Sequence, residues 1–275
     1  LERAWQRTTD GSVSLVSANL TDLRHPMSVD LWIEKTAEHA KLILIRILGG
    51  ADRWRYGVEE VSRVAKRRGI KLVLLPGECS ERDEKLEAAS TVDLPTLSSI
   101  LSFFREGGPE NMDRAARGLA TFSKGEWPDL AAEPLPKTGF YRPGQGVVEL
   151  EQARTGFAAD APLIPVLFYR SMLMAGDVAP IDALYEALHQ RGISPLPIFV
   201  SGLKDEDAIH FLTETLSRLN PSAMVTATSF ASQSDASGMT LFDRLGVATF
   251  QVIMATTQRL GWAENMRGLN PSDLA

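Results

Sequence analysis

Six apolar runs constrain this chain more than anything else in it: LILIRI (42–47), KLVLLP (71–76), IPVLFY (164–169), PLPIFV (195–200), AMVTAT (223–228) and TFQVIM (249–254). Each has the length of a strand and is apolar at odd and even positions alike, so both of its faces need a cover. The segments between them carry helical spacing, near 56–68, 179–191, 205–218 and 239–245. Strand, helix and strand in that order predict a parallel sheet. VSLVSA (13–18) reads as a further strand leading to a helix near 28–40, and two more helices are expected near 93–104 and 109–123, the second opened by Pro109. RRGIKLVLLP and QRGISPLPIF share one logic, in which Gly69 or Gly192 ends a helix and a strand starts at once.

The expected fold class is therefore α/β, with two Rossmann-like lobes whose parallel sheets are flanked by helices and a small helical segment between them. Residues 1–136 are read as the first lobe with two trailing helices, 137–162 as a Pro- and Gly-rich linker, and 163–275 as the second lobe. LERAW at the start reads as the second half of a helix, which leaves the first lobe without its opening strand, and NPSDLA at the end opens a helix that is cut short. The chain is thus expected to be a fragment of a longer protein.

Glycine, arginine and aromatic residues gather just after the strands. LILIRI is followed by LGGADRWRYG, with Gly49, Gly50, Trp54, Arg55, Tyr56 and Gly57; IPVLFY is followed by RSMLMAGDVAPID, with Arg170, Gly176 and Asp177. FFREGGPENM (103–112) lies between them. Ligands of open α/β sheets bind beyond the carboxyl ends of the strands, so these loops are expected to serve one cleft and one large ligand.

Charge narrows the classes of partner. The net charge is −6, and residues 1–136 carry 19 basic and 21 acidic side chains against 10 and 14 in the remainder, so neither half is basic enough for a nucleic-acid or anionic-membrane surface. One cysteine, Cys79, excludes an intrachain disulfide and suits a reducing compartment. No apolar run approaches the roughly 20 residues that span a bilayer, and the expected location is the cytoplasm. The sequon at Asn19 is read as chance.

Several signatures are missing from the sequence. It has no GxxxxGK[ST] phosphate loop, no GxSxG elbow and no HExxH, and its four histidines, His25, His39, His189 and His210, are widely spaced, so no metal site is read. GQGVVE (144–149) only half-resembles a dinucleotide fingerprint.

Longer blocks carry a family resemblance. LRHPMSVDLW (23–32), LGGADRWRYGVEEV (48–61), FFREGGPENM (103–112), VLFYRSMLMAGDVAPIDAL (166–184), PIFVSGLKD (197–205) and ENMRGLNPSDLA (264–275) resemble, in order, the large subunit of the aerobic cobaltochelatases. The magnesium chelatase large subunit shares a looser form of the pattern. The resemblance implies ATP-dependent insertion of Co(II) into hydrogenobyrinic acid a,c-diamide, a step of cobalamin biosynthesis. It also implies that an AAA+ ATPase subunit and a companion subunit consume ATP and Mg(II), which agrees with the missing phosphate loop, and that the fragment alone is inactive.

Metal insertion strips water from Co(II), holds a flat macrocycle and removes protons from ring nitrogens, so it asks for carboxylate or imidazole bases, Arg and Asn donors and aromatic faces. Glu106, Glu110 and His25 are the candidate bases. Trp54, Arg55, Tyr56, Arg105, Asn111, Tyr169, Arg170 and Asp177 are the candidate macrocycle contacts. Most have a structural alternative: Arg55 pairing Glu59 or Glu60, Arg170 bonding Asp177, Glu106, Glu110 and Asn111 capping a helix, Asp177 capping the 179–191 helix, and His25 serving structure or facing solvent. Two other classes of function stay open, a two-lobed binding module for a sugar or anion and a docking domain for the ATPase partners.

Overall fold

The computed structural model describes all residues except 78–81, 159, 229–240, 256–258, 265, 267 and 269–275; Cys79 is among those outside it. The chain divides into two compact units, Leu1–Pro134 and Leu135–Ala275.

In the first unit β1 (Leu42–Ile47) and β2 (Lys71–Pro76) pair in parallel, Leu42 opposite Lys71 and Ile47 opposite Pro76. Period-two alternation sends Ile43, Ile45 and Ile47 with Leu72 and Leu74 to one face, where they meet α2 (Pro26–Lys35) and α3 (Arg55–Arg68) through Val29, Ile33, Val58, Val61 and Ala65. Val73 and Leu75, with the half-buried Leu42 and Leu44, face the other way. There they meet α1 (Glu2–Thr8), α5 (Leu94–Glu106) and α6 (Pro109–Phe122) through Ala4, Trp5, Leu97, Ile100, Ala116 and Leu119. A short α4 (Glu84–Ala89), capped by Asp83, follows β2.

Local signals set these helix ends. His25 Nδ1 accepts the Met27 N–H at the start of α2, with Pro26 in the first turn. Gly69, at φ 68°, ends α3 in the left-handed conformation and lets Ile70 N–H return to the Ala65 carbonyl, from which β2 starts directly.

Residues 13–18 form no strand, contrary to expectation: the segment is irregular, with Val16 70% exposed. An extended run becomes a strand only by pairing, and none of the described strands runs beside it.

The second unit holds a six-stranded sheet in the order β4-β3-β6-β5-β7-β8. β5 (Leu163–Tyr169), β6 (Ser194–Val200), β7 (Met224–Thr226) and β8 (Thr249–Gln251) are mutually parallel. β3 (Thr138–Arg142) and β4 (Gly146–Val148) add an antiparallel hairpin on β6. One expectation is corrected here. The stretch 137–162 is no free linker, because it supplies this hairpin and α7 (Leu150–Ala153), while the other four strands form the expected parallel sheet. A composition rich in Pro and Gly suits the tight turn at Gly144 and Gly146 (φ 75° and 80°) as well as it suits a linker.

α8 (Arg170–Ala175) and α9 (Ala179–His189) cover one face of this sheet through Leu173 and Ile181, against Phe168 and Phe199. α10 (Glu206–Leu219) and α11 (Leu241–Leu245) cover the other through Ala208, Leu212, Leu216 and Leu241, against Leu167, Leu196, Ile198 and Val200. The chain steps from β5 to β6 through α9 and returns past β5 to β7 through α10 on the opposite face, so the winding reverses between β5 and β7. In open α/β sheets such a reversal is where ligands bind, beyond the carboxyl ends of the strands. The last described helix, α12 (Arg259–Ala263), is exposed. No helix among the described residues is long and apolar enough to cross a membrane.

One close contact of the first unit is open to a direct test. A Cβ on Gly57 would fall 2.0 Å from the Trp54 ring. Gly57→Ala is expected to destabilise the first unit by about 1–3 kcal/mol, because the buried indole must move, whereas most surface substitutions stay within about 0.5 kcal/mol. Gly125→Ala, where a Cβ meets nothing within 4 Å, is the control. Urea unfolding of both variants followed by tryptophan fluorescence checks the difference.

Candidate functional site

The carboxyl ends of β1 and β2 are built around a tight backbone approach. Gly77 donates its N–H to the Ile47 carbonyl at 2.8 Å, and a Cβ on Gly77 would sit 2.6 Å from the Leu48 nitrogen, so only glycine fits. Gly49 and Gly50, at φ 88° and 73°, turn the chain into a 3-10 turn, Ala51–Trp54, that runs into α3. Arg46, an arginine within an apolar strand, donates from Nη2 to the Gly77 carbonyl at 3.0 Å and lies 5.0 Å from the centre of the Phe104 ring. It thereby holds the end of α5, and with it the 103–111 segment, beside these loops.

The structure sorts the candidates of the first unit. Trp54 is 8% exposed and donates its indole N–H to the Leu23 carbonyl at 2.8 Å, so it is a core residue that ties the 48–57 loop to the start of α2. This corrects its reading as a macrocycle face. Arg55 is exposed and its Nε meets Glu59 at 2.9 Å, one of the two alternatives open from the sequence. It lines an open surface cleft of about 330 Å³ with Ala51, Asp52, Val58, Glu59 and Lys85. Lys85 pairs Asp52 across that cleft and, by hydrogen bond first and charge second, holds the Asp52 carboxyl below its ordinary range. Tyr56 is 40% exposed and donates its hydroxyl to Asp30 at 2.8 Å, and that bond raises its pKa.

His25 is exposed and caps α2 through Nδ1. Arg105 and Glu106 are half-buried in the last turn of α5, before Gly107 and Gly108 (φ 64° and 82°), and Glu110 is exposed in the first turn of α6. Asn111 is buried, and its amide is committed to backbone. Nδ2 donates to the Gly107 and Glu133 carbonyls at 2.9 and 2.8 Å, and Oδ1 accepts the Glu133 N–H at 2.8 Å. Asn111 is thus a loop clamp, a correction of its reading as a ligand donor.

In the second unit Tyr169 and Arg170 leave β5 at the winding reversal, both half-buried. Arg170 does not bond Asp177. It donates from Nε to the Pro136 carbonyl at 2.9 Å and from Nη2 to the Leu135 carbonyl at 2.8 Å, and Nη1 lies 3.0 Å from Met174 Sδ. Asp177 is exposed and does not cap α9, whose N-terminal residue Val178 makes no side-chain cap.

Residues passed over in the sequence also gather at this end of the sheet. Thr226 and Thr228, both buried, share a hydroxyl hydrogen bond of 2.7 Å after β7. Ser201 donates to Asp205 at 2.7 Å, and Lys137 lies 3.5 Å from both Asp205 and Asp207. The signal for Arg46 was present, since a charge inside an apolar strand demands partners. Single threonines and serines carried none. Among the described residues no group of three or more His, Cys, Asp or Glu side chains is placed to hold a metal ion.

A family model described as CobN/Magnesium Chelatase matches residues 101–275. The aerobic cobaltochelatase subunits CobN of a Sinorhizobium species and of Pseudomonas aeruginosa are 35% and 33% identical to this chain over 97% and 100% of it, and the chain spans 22% of each. A magnesium-chelatase subunit of Cereibacter sphaeroides is 24% identical over 74% of this chain and 16% of its own length. Among solved structures, the catalytic subunit of cobaltochelatase from Mycobacterium tuberculosis superposes with a TM-score of 0.66 at 25% identity, over 93% of this chain and 22% of that one.

Two predictions come from these contacts. Arg170→Ala removes a charged donor from two carbonyls and is expected to cost the second unit about 1–3 kcal/mol, with partial recovery in Arg170→Lys, as read by thermal and urea unfolding. The Ser201 hydroxyl, then the Asp207 N–H and Lys137, hold the Asp205 carboxyl below its ordinary value. A depressed folded-state pKa stabilises above the unfolded value, and that stabilisation is lost as pH falls through the folded value. Ser201→Ala is expected to shift the Asp205 titration midpoint upward in carbon-detected NMR, with a smaller rise in Lys137→Met.

Proposed function

The chain belongs to the CobN/magnesium chelatase family, and from that premise we propose that it forms a corrin-contacting part of a cobaltochelatase large subunit. The observation that carries this reading is similarity to two cobaltochelatase subunits along nearly the whole chain, against a lower and shorter similarity to a magnesium-chelatase subunit. The reaction is insertion of Co(II), the substrate metal, into hydrogenobyrinic acid a,c-diamide, in the cytoplasm and toward cobalamin. ATP and Mg(II) are used by an AAA+ ATPase subunit and its companion, and this chain contributes no phosphate loop.

Exposure and hydrogen bonding guide the choice of proposed ligand contacts. Trp54, Asn111 and Arg170 spend their polar groups on backbone and shape the loops. In the first unit Arg55, Tyr56 and Arg105, and separately in the second Tyr169 and Asp177, are the proposed contacts, a guanidinium being suited to a peripheral carboxylate and aromatic rings to a macrocycle edge. Glu106, Glu110 and His25 are the groups of this chain suited to take protons from ring nitrogens. The open cleft beside Arg55 supports this choice, because the surrounding Asp52, Glu59 and Lys85 leave its mouth polar.

Calorimetry of the complete subunit with the corrin diamide tests this reading. Arg55→Ala is expected to weaken binding about tenfold, or about 1.4 kcal/mol, with unchanged thermal melting. Unaltered affinity would remove the 48–57 loop from the site. The purified 275-residue chain is expected neither to hydrolyse ATP nor to insert Co(II), and turnover by it would overturn the division of labour.

A further inference from the structure

The two edges of the β1–β2 pair are finished differently. Lys71 N–H bonds the Lys41 carbonyl and Gly77 N–H the Ile47 carbonyl, so the odd-numbered residues of β1 face β2 and the backbone groups of Leu42 and Leu44 point away from it. On the far edge of β2 the equivalent groups are satisfied. Leu72 N–H bonds Thr91 Oγ1 at 2.7 Å, Leu74 N–H bonds Ser90 Oγ at 3.0 Å, and the Leu72 carbonyl accepts Thr91 N–H at 3.0 Å. Leu42 and Leu44 have no such partner among the described residues. Yet β1 is apolar on both faces, the pattern of a strand interior to a parallel sheet.

The handedness of crossovers says where a neighbour fits. α3 carries the chain from β1 to β2 across the face that also holds α2, whereas α1 lies on the opposite face. Right-handed connections on one face all step the same way across a sheet, and those on the other face step back. A strand preceding α1 therefore lies between residues 13–18 and β1, and residues 13–18 lie on its outer side. Their alternating VSLVSA pattern, irregular and exposed here, is that of a strand whose partner is this neighbour.

We propose that the outer edge of β1 seats one further parallel strand, apolar on both faces, supplied by the segment that precedes Leu1 in the longer subunit. The relatives are longer than this chain, which spans 22% of each. The inserted strand makes the winding reverse beside β1, so the crevice of the first unit opens next to the Gly49–Gly57 loop and is complete only when the strand is in place. This placement is independent of the corrin reading, since it is measured without ligand.

Hydrogen exchange resolved to single amides tests it in three proteins: the full-length subunit, the same subunit shortened to begin at Leu1, and the 275-residue chain. The amides of Ile43 and Ile45, which face β2, serve as the reference for an intact pair. Leu42 and Leu44 are expected to exchange at least about a hundredfold more slowly in the full-length subunit than in either of the others. Equal exchange in all three proteins, or protection that survives removal of the leading segment, overturns the proposal. Protection in the 275-residue chain overturns it as well, and if that protection rises with concentration, a second copy of the chain is the occupant.

Discussion

A strand that is apolar on both faces has to be covered twice, and the rest of this structure follows from that requirement. β1 alternates between two cores, Ile43, Ile45 and Ile47 against α2 and α3, and Leu42 and Leu44 against the helices of the other side. β6, buried along its whole length, does the same between α9 and α10. Burying each such side chain stabilises by roughly 1.5–3 kcal/mol, more than any exposed ion pair on this surface returns. With both faces sealed, the strand ends are where polar side chains meet solvent, and the loops there are free to take on chemistry.

Those loops are held by side chains that look, in isolation, like ligand donors. A buried carbonyl without a partner costs about 1–3 kcal/mol, so a loop that turns away from a sheet must find donors for the backbone it withdraws from water. Trp54 answers Leu23, Asn111 answers Gly107 and Glu133, and Arg170 answers Leu135 and Pro136. Gly57 and Gly77 then serve close packing, against the Trp54 ring and the Leu48 backbone respectively. Tryptophan, asparagine, arginine and glycine crowd these turns partly because the turns need them in order to exist.

Strand positions and helix ends were legible because each rests on local chemistry: apolar runs of strand length, Pro109 at a helix start, Gly69 past a helix end. Pairing was not, since it depends on distant partners. VSLVSA carries strand character and finds no neighbour, while TGFYR, in a stretch dominated by proline and glycine, pairs with β6. In the candidate site, residue type was legible and commitment was not. Arg55 and Arg170 both follow a strand, and only the fold shows one of them exposed beside Glu59 and the other bonded to the backbone.

The prolines of the second sheet show how its two ends come to differ. Pro165, Pro195 and Pro197 lie inside central strands, where a missing N–H would ordinarily break a ladder. The bond from Ser194 N–H to the Pro162 carbonyl sets the phase, so that Pro195 and Pro197 turn their nitrogens toward β3 and Pro165 turns its nitrogen toward β7. β3 pairs with β6 only from Ile198 onward, and β7 pairs with β5 only at Val166 and Leu167. No ladder bond is lost, and the sheet is fully paired only near its carboxyl ends. The backbone is therefore most firmly tied beneath Tyr169, Arg170, Ser201 and Thr228, at the end of the sheet where the winding reverses.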